Sequence, residues 1–198
     1  MKNLIIAIAI MLFAFNASAQ YNRFEASFVA ANMKFDDYGE SITQNPKGAE
    51  LGFIHGFGLS KNIPLFLEVG GRLQFLHLNL DDWEEDLDIT DNFLNLSVPV
   101  VATYKFNVTD NISIAPQFGF NLKFNLVAKE KEEYKGESES YSWFDGDDAA
   151  KRFQFGLNAG VGFSFSKFYL GYRFQPDLSE FIKDVKTNAN VISVGITF

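Results

Sequence analysis

A strict alternation of apolar and polar residues is the feature that most limits how this chain can fold. Between positions 152 and 165 every second side chain is apolar, while the positions between carry small or polar groups. The apolar series is Phe153, Phe155, Leu157, Ala159, Val161, Phe163 and Phe165. Side chains alternate between two faces in a β-strand, whereas a helix repeats every 3.6 residues. The stretch therefore predicts a long strand with one apolar face.

Seven further runs share this period, so the pattern predicts eight strands. They span residues 23–32, 48–60, 68–80, 94–106, 112–126, 168–175 and 191–198. Their polar faces are rich in Gly, Asn, Ser and Gln rather than in the Lys and Glu that a soluble protein presents to water. Most of the runs also reach the roughly 9–11 residues that a tilted membrane strand needs. Strands in soluble proteins are usually shorter, at about 5–6 residues.

Long, acidic connections alternate with short ones along the chain. The long connections lie near 33–47, 81–92, 128–151 and 177–189, and the short ones lie at 61–64, 107–111 and 166–167. An even number of strands joined in this way brings both chain ends to the side of the short turns. Small outer-membrane barrels combine short periplasmic turns with long extracellular loops. The predicted fold is all-β: an eight-stranded, antiparallel, up-and-down transmembrane β-barrel in a Gram-negative outer membrane, with both termini in the periplasm.

The first 19 residues have the pattern of a cleavable signal peptide. Lys2 precedes an apolar stretch at positions 4–15, and Ala17 and Ala19 supply the small residues expected before a cleavage site. The alternative is a short membrane anchor, but the stretch is too short to span a bilayer comfortably. We therefore expect a signal peptide over residues 1–19 and one barrel domain over residues 20–198.

The composition excludes several classes of function. The chain has no Cys, which removes disulfides, lipoprotein anchoring and thiolate chemistry. Without Lys2 the chain keeps 25 acidic and 16 basic residues, and this formal charge of −9 argues against a nucleic-acid partner. No apolar run approaches the length of a membrane-spanning helix.

Charged residues fall on the inward face of the predicted barrel, with acidic residues early in the chain and basic residues mostly late. The inward set comprises Glu25, Glu50, Glu68, Arg72, Lys105, Lys123, Arg152 and Arg173. Because eight strands enclose a lumen just wide enough for side chains, an ion-paired plug is favoured over a charged translocation path. Leu76, Leu78 and Leu80 share this face, which predicts a β-bulge near Phe75 or an exit of the strand from the membrane.

Four segments carry a resemblance to a known family. They are Ala17-Ser18-Ala19-Gln20, Leu96-Ser97-Val98-Pro99 leading to Tyr104-Lys105-Phe106, the run 153–162 followed by 168–174, and the terminal Phe198. Together they resemble the outer-membrane β-barrel family of Bacteroidetes, described as porin-like or PorT-like. The resemblance covers nearly the whole mature chain. It implies that barrel-assembly machinery reads the C-terminal aromatic strand, that some relatives belong to secretion or motility assemblies, and that no catalytic residues are shared.

The second long connection is a candidate Ca²⁺ site. Seven of the eleven residues at 81–91 are acidic and none is basic, and carboxylate oxygens are the ligands that Ca²⁺ prefers. Asp82, Glu85 and Asp88 are the predicted ligands, although the spacing is not that of an EF-hand. The alternative is a solvated acidic surface, or one bridged by divalent cations to lipopolysaccharide phosphates. The acidic run 145–148 is a second candidate.

Aromatic residues and histidines complete the candidates. Trp83, Trp143, Tyr134 and Tyr141 lie in the long connections, where exposed rings anchor a partner or pack a loop. His77 lies close to acidic residues at the end of strand three, but no nucleophile accompanies it.

The predicted function is a non-enzymatic integral outer-membrane barrel with acidic extracellular loops and a structural or interaction role. We expect no catalytic residues, no cofactor other than Ca²⁺ at the acidic loops, and no nucleic-acid partner. The expected partners are outer-membrane lipid, lipopolysaccharide, the barrel-assembly machinery and an envelope protein. Three alternatives stay open: a component of a secretion or motility assembly, a porin for narrow solute passage, and a lipid-modifying enzyme.

Overall fold

A computed structural model gives the structure of the protein, and it describes residues 20–37, 40–81, 87–146 and 149–198. The predicted signal peptide over residues 1–19 lies outside this part of the chain. No helix within these ranges is both long and apolar enough to cross a membrane.

Within the described ranges, eleven strands make up one sheet. They are β1 (Gln20–Asp37), β2 (Glu40–Gln44), β3 (Lys47–Gly58), β4 (Leu65–Asp81), β5 (Leu87–Tyr104), β6 (Phe106–Asn107), β7 (Ile112–Tyr134), β8 (Glu137–Ser142), β9 (Phe153–Phe165), β10 (Phe168–Pro176) and β11 (Val185–Thr197). The sequence runs that alternate in polarity lie in eight of them, β1, β3, β4, β5, β7, β9, β10 and β11. The other three are short additions to these eight.

The eight long strands close into a barrel. Each pairs antiparallel with the next in the order β1, β3, β4, β5, β7, β9, β10, β11. Closure comes from the antiparallel pairing of β1 with β11, which runs from Arg23 opposite Thr197 to Phe35 opposite Val185. A closed sheet leaves no unpaired edge along the barrel wall. The predicted eight-stranded antiparallel barrel is therefore confirmed.

Both described ends of the chain lie at the barrel end that carries the short turns. The amide N–H of Asn22 donates to the carbonyl of Phe198 at 2.8 Å, and the amide of Phe198 donates back to Asn22 at 2.9 Å. The turn between β9 and β10 consists of Ser166 and Lys167, with Ser166 at a φ of 54°. Phe165 and Phe168 flank this turn and are exposed, as is Phe198. These rings occupy the positions expected of an aromatic girdle.

The barrel is apolar outside and polar inside. Phe118 and Phe168, on the outer surface, have 59% and 64% of their surface exposed. The inward positions of the same strands include Gln117 and Tyr169, which are both buried. Such an arrangement is unfavourable in water but matches a barrel surrounded by lipid.

The predicted β-bulge near Phe75 is wrong. The pairings of β4 with β3 and with β5 keep one register through Leu76, and Leu76 and Leu78 are buried inside the barrel. The register shift lies instead in the β5–β7 pairing, between Leu94 and Asn95, where β7 carries one extra residue. The same face of β4 points inward along its length. The inward residues change from charged to apolar toward the long loops.

Two strands extend the sheet beyond the barrel at the end with the long connections. β2 pairs with the end of β1. β8 pairs with residues 129–134 of β7, which also pair with the start of β5. The start of β5 pairs on its other side with the end of β4, so β8 is the last strand of a projecting sheet. We call this part, residues 87–92 and 129–142, the hairpin extension.

We expect the closed barrel to survive in detergent without heating, because every strand of the ring is hydrogen-bonded on both sides. An unheated sample should migrate differently from a boiled one on a detergent gel. Identical migration of the two samples would contradict a closed barrel.

Candidate functional site

A carboxylate from β1 organises the ionic network inside the barrel. Glu25 accepts hydrogen bonds from Arg72 Nε at 2.7 Å and from Arg173 Nη1 at 2.7 Å, both at its Oε1 atom. Its Oε2 atom accepts a bond from Arg23 Nε at 3.1 Å. Arg173 also donates through Nη2 to Glu50 Oε1 at 2.6 Å, so it bridges two carboxylates. The four strands that carry these groups are thereby connected through the lumen.

A third carboxylate, that of Glu68, completes the network toward the short-turn end. Arg23 binds Glu68 through two bonds, Nη1 to Oε1 at 3.1 Å and Nη2 to Oε2 at 2.7 Å. Such a forked geometry makes arginine–carboxylate pairs both strong and directional. The Tyr21 hydroxyl also donates to Glu68. The guanidinium of Arg23 lies 4.0 Å from the ring centre of Tyr169, in a cation–π contact.

We call these six charged residues the ionic plug. It consists of Arg23, Arg72, Arg173, Glu25, Glu50 and Glu68, so three positive charges meet three negative ones. None of the six has more than 3% of its surface exposed. A continuous water-filled channel would expose the side chains that line it. The lumen is therefore closed at this level.

Small residues make room for the ring of Tyr169 beside the plug. A Cβ atom added at Gly162 would lie 2.6 Å from Tyr169 Cε2, and one added at Gly171 would lie 2.5 Å from the Tyr169 hydroxyl oxygen. Both distances are shorter than van der Waals contact. Glycine at these two inward positions thus allows a large ring to fill the lumen.

A polar layer and a second ion pair lie between the plug and the long loops. Lys123 Nζ is 2.5 Å from Asp177 Oδ2, and Gln154 Nε2 donates to the same carboxylate oxygen at 3.3 Å. Asn125 in turn donates to Gln154 at 3.0 Å. Asp177 follows β10 directly, and it anchors the start of the β10–β11 connection inside the barrel.

An apolar cluster closes the barrel at the end with the long loops. Phe181, from the β10–β11 connection, is buried against Phe93 and Trp143, with ring centres 5.9 and 6.1 Å away. Leu76 and Met33 belong to the same cluster. A cavity of about 30 Å³ separates this cluster from the polar layer. Two closures of different chemistry therefore block the lumen in series.

The structure brings together most of the predicted inward residues but not all of them. Glu25, Glu50, Glu68, Arg72 and Arg173 are in the ionic plug, and Lys123 forms the second ion pair. Lys105 lies beside the Tyr21 ring at 5.9 Å and is only half-buried. Arg152 is exposed, and its guanidinium lies 4.1 Å from the Phe144 ring. Arg152 was wrongly assigned to the lumen, because it precedes β9 rather than lying within it, whereas Lys105, between β5 and β6, lies at the edge of the lumen beside Tyr21.

Three inward residues were missed in the sequence. Arg23 shares the parity of Glu25, and Tyr169 and Asp177 share the parity of Arg173. Alternation alone would have found them. Arg23 stands at the start of its run, Tyr169 lies on the inner parity but carries no charge, and Asp177 lies at the start of a long connection.

The structure does not test the predicted Ca²⁺ site, because two of its three predicted ligands are not described. Asp82 and Glu85 lie outside the described residues. Asp88 is exposed and lies opposite Asp81 of β4 and Glu133 of β7. Within the described ranges, no three His, Asp or Glu side chains are grouped as a metal site.

Both histidines contact amides. His55 Nδ1 lies 2.8 Å from Asn22 Oδ1, and its ring packs against Phe57. His77 Nδ1 lies 3.0 Å from Asn92 Oδ1 at an exposed position. Of the two acidic residues expected close to His77, Asp81 is the last residue of β4, and Asp82 lies outside the described residues.

Comparison with known proteins gives one family and several structures. The family model described as "Outer membrane protein beta-barrel domain" matches residues 5–198. Comparison with the curated proteins finds no match. Among solved structures, Ail, the attachment invasion locus protein of Yersinia pestis, is similar at 16% identity and a TM-score of 0.47, with 90% of this chain and 98% of that chain covered. Neisserial surface protein A has 16% identity and a TM-score of 0.47, covering 92% and 98%. OprG of Pseudomonas aeruginosa has 9% identity and a TM-score of 0.45, covering 92% and 97%.

We expect Glu25→Ala to lower the free energy of unfolding by about 3–5 kcal/mol, because it leaves buried guanidinium groups without their shared partner. Urea denaturation of the purified barrel, followed by gel mobility, measures this loss. Glu133→Ala is the matched control. Its carboxylate pairs with Lys131 at 2.9 Å in an exposed position, where an ion pair contributes about 1 kcal/mol or less. Equal midpoints for the two variants would contradict the importance assigned to the plug.

Proposed function

This chain belongs to the outer-membrane protein β-barrel domain family, and from this premise we propose that it is a non-enzymatic barrel that does not conduct and acts through its long loops. The family places the protein in the outer membrane of a Gram-negative bacterium. Within the family, we propose that it is a PorT-like barrel of the Bacteroidetes type. In the proposed orientation both termini and the short turns face the periplasm, and the long connections face outward.

The observation that carries this proposal is the burial of the ionic plug. Six charged side chains fill the lumen and lie almost out of contact with water. Buried, paired charges of this kind close a path for ions rather than forming one. With the apolar cluster above them, they support an anchoring role for the barrel and leave interaction to the loops.

The projecting strands support an interaction role. The hairpin extension carries exposed Glu137, Glu139 and Tyr141 beyond the barrel. Exposed charges and rings on a rigid sheet are suited to recognition, because the scaffold holds them in place. The proposed partners are lipopolysaccharide and lipid around the barrel, the barrel-assembly machinery during insertion, and an envelope protein at the loops.

The proposal assigns no catalytic role. Its support is the placement of the two histidines beside the amides of Asn22 and Asn92. A general base normally needs a neighbour that orients it toward a nucleophile.

We expect a cysteine at the start of β8, next to the β7–β8 turn, to be reached from outside intact cells. The chain has no Cys, so Ser138→Cys and Lys167→Cys each give a single labelling site, and both positions are exposed. A membrane-impermeant maleimide should label Ser138→Cys on whole cells and label Lys167→Cys only after lysis. The reverse result would overturn the proposed orientation.

We also expect no stable channel in planar lipid bilayers. The purified barrel should give a flat current trace across the voltages at which a large open porin, reconstituted in the same lipid, conducts in steps. Reproducible unitary conductance from this protein would contradict the proposal of a closed lumen.

A further inference from the structure

We propose that the free edge of β8, together with one face of the hairpin extension, binds an extended, basic segment of another protein. The segment would add to the sheet as a new edge strand next to β8, in the order β5, β7, β8 and added segment. This inference rests on the proposed function, in which the extension lies outside the cell.

The register of the three strands defines the face. Asp91 lies opposite Glu130, and Glu130 lies opposite Tyr141. The next row toward the tip pairs Glu132 of β7 with Glu139 of β8. Residues directly opposite each other in antiparallel strands point to the same side of a sheet. These five side chains therefore share one face, which we call the acidic face.

The basic residues of β7 within the hairpin extension lie on the opposite face. Lys129 and Lys131 alternate with Glu130 and Glu132, so they point away from the acidic face. Lys131 is paired with Glu133 on its own side. At the tip, the Lys135 ammonium lies 5.0 Å from the Tyr134 ring. The charged residues of the acidic face are thus all negative, whereas the opposite face carries charges of both signs.

Carboxylates crowd together on the acidic face, and the pKa values of two of its members, Glu130 and Tyr141, are raised. Burial raises the pKa of Glu130, and the neighbouring carboxylates of Asp91 and Glu132 raise it further. The hydrogen bond to Glu139 raises the pKa of Tyr141. Like charges held this close favour a positively charged partner, because such a partner relieves their mutual repulsion.

A pocket at the base of the acidic face fits the end of a long basic side chain. It has a volume of about 210 Å³ and is lined by Glu130, Tyr141, Ser142 and Trp143. Trp143 is held by a bond from its Nε1 to Asp91 Oδ1 at 3.1 Å. Aromatic rings beside a carboxylate attract the ammonium of lysine and the guanidinium of arginine.

The edge of β8 supplies the backbone partners that an added strand needs. Within the described ranges β8 pairs only with β7, and residues 137–141 are exposed. Strand addition gains affinity from main-chain hydrogen bonds and specificity from alternate side chains. A second copy of β8 is a poor occupant, because the strand holds two Glu and no basic residue. Charge complementarity therefore selects a basic segment.

The test uses the full barrel in lipid nanodiscs and a fluorescent seven-residue peptide in which lysine alternates with threonine. Fluorescence anisotropy should show binding, and a peptide with glutamate in place of lysine should not bind. Glu132→Gln combined with Glu139→Gln should weaken binding at least fivefold. The matched control, Asp88→Asn combined with Glu133→Gln, removes the same charge from the other face and should change binding less than twofold.

A third peptide separates strand addition from simple attraction of charge. N-methylation at alternate residues keeps every lysine but removes main-chain donors, and it should also weaken binding at least fivefold. Equal binding of the methylated peptide, or equal loss in the two double variants, would overturn the inference. Failure of Ser138→Cys to label from outside would instead overturn the proposed function on which it rests.

Discussion

The compensation of charge around Glu25 is the interaction on which the rest of the barrel interior depends. A narrow lumen cannot hydrate an arginine, so each guanidinium there needs a carboxylate within hydrogen-bond distance. Glu25 meets this need for three arginines at once, Glu50 binds Arg173 as well and Glu68 binds Arg23. Among the described residues, Arg72 Nη1 and Arg173 Nε have no hydrogen-bond partner. The ring of Tyr169, the glycines that face it and the amide layer above then fill the space that the ion pairs leave.

The chemistry of the interior changes along the barrel axis, and this change separates two tasks. Near the short turns, paired charges hold four strands together. Near the long loops, Phe181 and Trp143 enter the mouth and bury apolar surface, which fixes the connections that leave the barrel. Because those connections are anchored, the hairpin extension rises from a rigid base rather than from a free loop.

Alternation in the sequence was enough to predict the barrel, since its side-chain period, its strand lengths and the order of its connections all agreed. It also predicted five of the six residues of the ionic plug. It failed where the reason for a residue lies in three dimensions. Leu76 is inward and apolar, and it belongs to the buried cluster that Phe181 joins from a distant connection. No local pattern in the sequence indicates that cluster. Lys105 and Arg152 lie at strand ends, where parity no longer fixes direction. The acidic face could not be predicted from the sequence, because it depends on the register of three strands.

The distribution of the plug over the strands has a consequence for assembly. β1 and β4 each contribute one arginine and one glutamate, β3 contributes Glu50 alone, and β10 contributes Arg173 alone. Before β11 reaches β1, the early strands therefore hold one uncompensated negative charge and the late strands one positive charge. Joining the two ends of the sheet neutralises both. The last step of closure is thus favoured by attraction across the seam as well as by backbone pairing, and a barrel that stays open retains two isolated charges in its interior.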